Sequence, residues 1–188
     1  YFGAKVERKG STVSIAGGQR LVARDIEVPG DISSAAFFMV AALITEDSDL
    51  LIKNVGINPT RTGVIDILTR MGGKISILNM REVSGEPVGD IHVKSSKLEG
   101  IEIDGNIIPK AIDELPVVSI AAAFAKGTTK IRDAKELRVK ESDRIGGMAL
   151  NLKKLGIKVD DRYEDGMDII GDINGKFPAV IFENRHFS

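Results

Sequence analysis

The chain has 188 residues, a formal net charge of −1, and 43% hydrophobic and 28% charged residues. This length suits one domain or slightly more, and the composition is typical of a globular α/β protein. The near-neutral charge argues against a nucleic-acid partner, and the longest apolar run, residues 35–44, is far shorter than a membrane span of ~18 residues. Cysteine is absent, which excludes disulfides and thiolate sites and favours a cytoplasmic setting.

The first half of the chain predicts alternating strands and helices. Residues 2–15 have a strand–turn–strand pattern, and because the sequence starts at Tyr1 without methionine, we expect it to begin inside a longer protein. A short strand at 26–28 and a turn at 29–31 precede an alanine-rich helix over 33–44. The next predicted elements are a strand at 50–53, a helix ending at 71–73, a strand at 74–78 and a strand around 91–93.

The second half repeats this order after about 80 residues, a period typical of stacked supersecondary units. A strand at 101–103 leads to an alanine-rich helix over 115–125. The following predicted elements are a strand at 129–132, a helix ending at 155–156, a strand at 157–159 and a strand around 168–170. The repeat is clearest where each half ends a helix with basic side chains and a glycine before an alternating strand, at 68–75 and 152–159.

We therefore predict an α/β (α+β) fold made of two βαβαββ units, at about 21–100 and 101–175. The two alanine-rich helices are expected to lie innermost, because a helix that is apolar on all sides is a buried one.

Asp113 is the first candidate functional residue, since it directly precedes a predicted helix with Pro116 near its first turn. The structural interpretation is an N-cap, because aspartate accepts hydrogen bonds from the first free amides and proline is tolerated there. The functional interpretation is a reactive carboxylate. The residue pattern favours the cap and leaves the second interpretation open.

A second candidate is the polar run at 138–144, which is predicted to open the last long helix. It can be a solvated helix start, with Ser142 as the cap and acidic residues favoured by the helix dipole. It can also be an anion site built from Lys140 and Arg144 at a helix N-terminus, with Glu141 as an acid or base.

Two further patterns favour structural roles. Asn58 is expected to cap a helix whose first residue is Pro59. The histidines, His92 and His186, do not form a metal-binding motif, and the sequence contains no phosphate-binding glycine loop, so we expect no metal or cofactor.

Four motifs follow in order: Val-Pro-Gly-Asp-Ile-Ser-Ser-Ala-Ala-Phe-Phe at 28–38, Asn-Pro-Thr-Arg-Thr-Gly at 58–63, Asp-Glu-Leu-Pro at 113–116 and Arg-Val-Lys-Glu-Ser-Asp-Arg-Ile at 138–145. Together they resemble the bacterial 5-enolpyruvylshikimate-3-phosphate (EPSP) synthases over about residues 1–172, whereas 176–188 do not match. UDP-N-acetylglucosamine enolpyruvyl transferases share the fold and reaction type, but the last two motifs fit EPSP synthases better.

The resemblance implies an enzyme of two similar domains, each of three βαβαββ units, with the active site in the cleft between them. It implies that the carboxyvinyl group of phosphoenolpyruvate moves to the 5-hydroxyl of shikimate 3-phosphate without a cofactor. This chain would be most of one domain and inactive alone. We expect it to expose an apolar face where the third unit belongs, which favours self-association.

The resemblance also assigns roles to residues. Asp113 matches an aspartate that binds shikimate hydroxyls and accepts a proton, and Lys140 matches a lysine at the 5-hydroxyl and phosphoenolpyruvate. Glu141 matches the glutamate that handles the C3 proton, and Arg144 matches an arginine that binds phosphoenolpyruvate. We expect these four side chains to line one open face, only partly buried, with Arg144 about one turn inside its helix.

Some family features are missing from the sequence. The N-terminal Lys-Ser-Arg cluster, the Ser-Ser-Gln segment and the later Asp-His-Arg motif are absent. Asp31 and the pair Ser33 and Ser34 match a motif near the interdomain crossover, and we assign them a structural role. The alternatives that stay open are a fragment of the sister transferase and a non-catalytic remnant.

Overall fold

The computed structural model describes residues 1–171, and it starts with an isolated β-hairpin. Strands β1 (Val6–Lys9) and β2 (Thr12–Ile15) pair antiparallel, as the strand–turn–strand pattern predicts. The turn contains Gly10 at φ 61°, a left-handed conformation that glycine adopts without steric cost. Both strands are exposed along their whole length, so the hairpin adds nothing to the core.

The rest of the first half forms a three-stranded antiparallel sheet with two helices. The elements are α1 (Ile32–Ile44), β3 (Asp49–Gly56), α2 (Gly63–Arg70), β4 (Lys74–Val83) and β5 (Glu86–Lys94). The strand order is β3-β5-β4, so the two strands joined by the last hairpin pair directly and β3 lies on the other side of β5.

The predicted strand at 26–28 is wrong. Ile26 and Val28 are exposed and belong to no strand, and pairing with β3 is limited to one parallel bridge between Gly30 and Val55. The amide of Gly30 donates to the carbonyl of Asn54 at 2.7 Å. Pro29 has no N–H to extend this ladder, so the chain enters α1 after a single bridge.

The second half forms a mixed four-stranded sheet. Its elements are β6 (Glu102–Ile103), the short α3 (Ile108–Ala111), α4 (Leu115–Ala123), β7 (Gly127–Ile131), α5 (Arg144–Lys154), β8 (Lys158–Asp160) and β9 (Met167–Gly171). The order is β6-β7-β9-β8, with β6 parallel to β7 and the other pairs antiparallel. Helix α4 is therefore the crossover of a parallel β-α-β unit.

The core is continuous across the two halves, because α1 and α4 pack against each other. Helix α4 is buried nearly all round, as predicted, and its alanines permit close approach. Helix α1 differs from the expectation, since it buries one side only: Phe37 and Phe38 are 63% and 62% exposed. One face of α1 therefore presents a large apolar surface to solvent.

The starts of the first two long helices are fixed differently. Asp31 caps α1 by accepting from the amide of Ser34 at 2.9 Å, which fits the structural role expected for this motif. The expected cap at Asn58 is wrong, because α2 begins at Gly63 and Asn58 instead accepts from the amide of Thr60 at 3.0 Å. An asparagine that satisfies its own turn in this way is not available to cap a helix.

Gly63 allows the two halves to approach closely at the start of α2. A Cβ at this position would lie 2.8 Å from the carbonyl carbon of Lys110 in α3.

Within the described residues, no helix is both long and apolar enough to cross a membrane.

Two glycine substitutions should have opposite effects on stability. Gly63→Ala should lower the free energy of unfolding by about 1–3 kcal/mol, since the added methyl group overlaps the Lys110 backbone. Gly147→Ala should raise it by about 0.5–1 kcal/mol, because Gly147 is an exposed residue of α5 with open space around it. Urea unfolding of both variants measures the effects. A stabilised Gly63→Ala variant would contradict the close approach of the two halves.

Candidate active site

Asp113 lies in the turn between α3 and α4. The expectation that it caps α4 is wrong: the helix starts at Leu115, and neither Asp113 nor Glu114 makes a side-chain cap bond. Pro116 lacks an N–H, so this helix start has one amide fewer to satisfy. The Asp113 carboxylate instead accepts from Lys140 Nζ at 2.9 Å and from Arg144 Nη1 at 3.1 Å.

Lys140 and Glu141 lie on irregular backbone that precedes α5, not inside the helix. Asp143 caps α5 by accepting from the amide of Gly146 at 2.8 Å, so the expected Ser142 cap is wrong. Arg144 is accordingly the first helical residue rather than one turn inside. The backbone of Asp143 is extended, with ψ at 91°, so the segment before it does not continue the helix, and Lys140 from this segment contacts Asp113.

Arg138 holds this irregular segment in place. Its guanidinium donates to the backbone carbonyls of Asp161, Tyr163 and Glu164 at 2.6–2.9 Å. It also contacts the Asp143 carboxylate at 3.0 Å. The loop between β8 and β9 is thereby fastened to the segment that carries Lys140 and Glu141. This role could not be predicted from the sequence, because the acceptors are backbone carbonyls, which every residue carries.

Arg144 joins the predicted residues into one cluster. Its Nη2 contacts Glu141 Oε2 at 2.6 Å while its Nη1 contacts Asp113. The side chains of Asp113 and Glu141 are 50% and 80% exposed. The predicted arrangement of the four side chains on one open face is therefore confirmed for Asp113, Lys140, Glu141 and Arg144. Neither carboxylate is sealed in the core.

The cluster keeps both carboxylates ionised. The hydrogen bond from Lys140 lowers the pKa of Asp113, Arg144 adds to this effect, and partial burial opposes it. The pKa of Glu141 is lowered by its own backbone amide and then by Arg144, and that of Lys140 is raised by Asp113. Lys140 and Arg144 are mostly covered and paired with the carboxylates, yet they border an open face, so the cluster offers cations for an anion and carboxylates that can accept protons.

The titration of Asp113 tests this arrangement. A depressed pKa means that the contact stabilises the fold at neutral pH and loses this effect as the pH falls through the folded-state pKa. Lys140→Met should move the Asp113 midpoint upward, since the largest cause of the shift is removed. Carboxyl-carbon NMR measures it, with Lys135→Met as the control because Lys135 pairs with Glu164 instead. An unchanged midpoint in Lys140→Met would contradict the geometry.

Comparison with known proteins identifies relatives along most of the chain. A relative from Geobacter metallireducens named 3-phosphoshikimate 1-carboxyvinyltransferase is 61% identical over 171 residues, which is 91% of this chain and 40% of the relative. One of the same name from Geotalea daltonii is 62% identical over 171 residues, with the same two shares. The chain thus spans about 40% of the length of these curated relatives.

Solved structures give the same result. The EPSP synthase of Acinetobacter baumannii has a TM-score of 0.87 at 50% identity, covering 94% of this chain and 41% of that chain. The enolpyruvyl transferase NikO of Streptomyces tendae has a TM-score of 0.61 at 20% identity over 90% of this chain and 38% of that chain, a likeness of fold alone.

The boundary expected at residue 175 and the segment 176–188 lie outside the described residues. The sequence model of EPSP synthase (3-phosphoshikimate 1-carboxyvinyltransferase) matches residues 1–180, which extends past residue 172 where the resemblance was expected to end, and the chain therefore belongs to the EPSP synthase family.

Proposed function

We propose that this chain is part of a 3-phosphoshikimate 1-carboxyvinyltransferase, which moves the carboxyvinyl group of phosphoenolpyruvate to the 5-hydroxyl of shikimate 3-phosphate. The observation that carries the proposal is the contact of Arg144 with both Asp113 and Glu141, from separate parts of the chain. Family membership indicates which reaction to propose, and this cluster contains chemical groups that are suited to it. An addition–elimination of this kind needs cations for the anionic substrates and groups that move protons.

In the proposed reaction, the 5-hydroxyl oxygen adds to C2 of phosphoenolpyruvate as the hydroxyl proton passes to Asp113, and the Glu141 carboxyl, protonated at this stage, gives a proton to C3. The tetrahedral intermediate then loses a C3 proton and phosphate. Asp113 binds the shikimate hydroxyls and accepts a proton, and Lys140 lies at the 5-hydroxyl and phosphoenolpyruvate. Glu141 handles the C3 proton, and Arg144 binds phosphoenolpyruvate.

Anion binding would change the basicity of the carboxylates. Lys140 and Arg144 are the groups that hold the pKa of Asp113 low, and Arg144 also lowers that of Glu141. An anionic substrate that shares these cations weakens their hold, which raises both carboxyl pKa values. The carboxylates therefore become better proton acceptors when the substrates are present.

We also propose that the two halves, at about 21–100 and 101–175, are copies of one structural unit. Each half has an alanine-rich helix leading to a strand, followed by a second helix and two strands that pair antiparallel. The first half lacks the leading strand, of which the bridge at Gly30 is the remnant.

The chain alone should not turn over the two substrates, because positioning supplies much of the rate of a bimolecular transfer and the family's other substrate-binding motifs are absent. A chimera should restore activity, in which this chain replaces the matched 171 residues of the Geobacter metallireducens relative. Production of EPSP and phosphate is the measurement, and Asp113→Asn should lower turnover by about a hundredfold or more.

The controls separate the alternatives. UDP-N-acetylglucosamine offered to the same chimera should give no product, and product from it would favour the sister transferase. A folded but inactive chimera would contradict the proposed function and favour a non-catalytic remnant. Turnover by the chain alone, at the rate of the intact relative, would contradict the expected inactivity.

The exposed face of α1 should cause self-association of the chain. Phe37 and Phe38 are adjacent apolar side chains, each more than half exposed. Sedimentation velocity over a concentration series should detect association, and the double variant Phe37→Ser with Phe38→Ser should reduce it. Leu150→Ser is the control, because Leu150 is an exposed apolar residue on a different helix. A strictly monomeric chain at high concentration would contradict this prediction.

A further inference from the structure

Glu114 is a buried acidic residue directly beside the candidate catalytic Asp113. It is only 3% exposed, whereas the Asp113 side chain is half exposed. Its Oε1 accepts a hydrogen bond from the hydroxyl of Ser33, which lies 81 residues earlier in the chain. The second half therefore receives a polar contact from the first half at the residue next to the site.

The contact continues to a cation. Arg61 Nη2 donates to the Ser33 hydroxyl oxygen at 2.8 Å, and it lies 3.6 Å from Asp31, the cap of α1. A hydroxyl has one proton, which the Ser33 hydroxyl donates in a hydrogen bond to the Glu114 carboxylate. The lone pairs of the same oxygen accept the hydrogen bond from Arg61. The direction of the chain of hydrogen bonds is thus fixed as Arg61 to Ser33 to Glu114. We call these three residues the relay.

The relay acts at a helix start that has no cap of its own. Glu114 occupies the cap position of α4 without a side-chain cap bond, and its carbonyl accepts from the amide of Val118 at 2.9 Å. The side chain of Glu114 points inward to Ser33 while that of Asp113 points outward to Lys140 and Arg144. Fixing one of two adjacent residues limits the backbone freedom of the other.

We propose that the relay of Arg61, Ser33 and Glu114 positions Asp113 for the reaction, so that the first half of the chain contributes to the site without touching the substrates. The catalytic part of this inference rests on the proposed function. All three are positioning residues. The motifs at 28–38 and 58–63, for which the sequence pattern favours structural roles, acquire a role in the site through this contact.

A relay with a purely structural role is expected to behave differently. Breaking it would lower the stability of the fold, yet the folded protein would keep Asp113 in its contacts with Lys140 and Arg144. A positioning relay predicts that the folded protein loses part of these contacts. Because they lower the pKa of Asp113, the Asp113 carboxyl should then titrate at higher pH.

The first test uses the 188-residue chain and carboxyl-carbon NMR of Asp113. Ser33→Ala should raise the midpoint of the Asp113 titration. Ser33→Thr, which keeps the hydroxyl, should have the same midpoint as the unsubstituted chain. Ser76→Ala, the same change at an exposed serine of the outer strand β4, should leave it unchanged. A folded Ser33→Ala variant with an unchanged midpoint overturns the inference.

The second variant guards against failure to fold. Arg61→Gln removes the cation from an exposed side chain, so the fold should persist while the relay is broken. It should also raise the Asp113 midpoint, and an unchanged midpoint in this variant overturns the inference whatever happens to Ser33→Ala.

The third test measures catalysis in the chimera with the Geobacter metallireducens relative. Ser33→Ala should lower kcat about tenfold to a hundredfold with a smaller change in KM, the effect of a misplaced catalytic group. An active chimera whose kcat is unchanged by Ser33→Ala overturns the positioning role but leaves the proposed function intact. A chimera that is inactive without any substitution contradicts the proposed function, and the Asp113 titration then decides the positioning of Asp113 by itself.

Discussion

The candidate site depends on one guanidinium that contacts two carboxylates from separate parts of the chain. Arg144, at the first position of α5, contacts Glu141 just before that helix and Asp113 just before α4. Lys140 also contacts Asp113, but among the four residues Arg144 alone contacts both carboxylates. Because the contacts are largely open to solvent, their contribution to stability is small, and their main effect is on geometry and proton affinity.

The support of this arrangement comes from residues outside the four. Arg138 fastens the segment before α5 to the loop between β8 and β9, and the core between α1 and α4 holds the two halves together. The resulting face is open, which agrees with a chain that spans about 40% of its relatives. Its cations and carboxylates are paired with each other.

The sequence predicted most of the helices and strands, because alanine-rich runs and alternating strands are local patterns. It also predicted that the four site residues would meet. Helix boundaries were less well predicted: Asp143 rather than Ser142 caps α5, and Asp113 caps nothing. The roles of Arg138 and Glu114 could not be predicted, since their partners are backbone carbonyls and a serine 81 residues away. Such contacts arise only when the chain is folded.

A double-mutant cycle in the chimera tests most directly whether Asp113 and Arg144 act as one unit. Asp113→Asn, Arg144→Gln and the double variant are compared by kcat/KM for the shikimate substrate. We expect each single substitution to cause a large loss of kcat/KM, and the double variant to lose much less than the product of the two single losses, as contacting groups do. A loss equal to that product would contradict this expectation, because the two residues would then act independently.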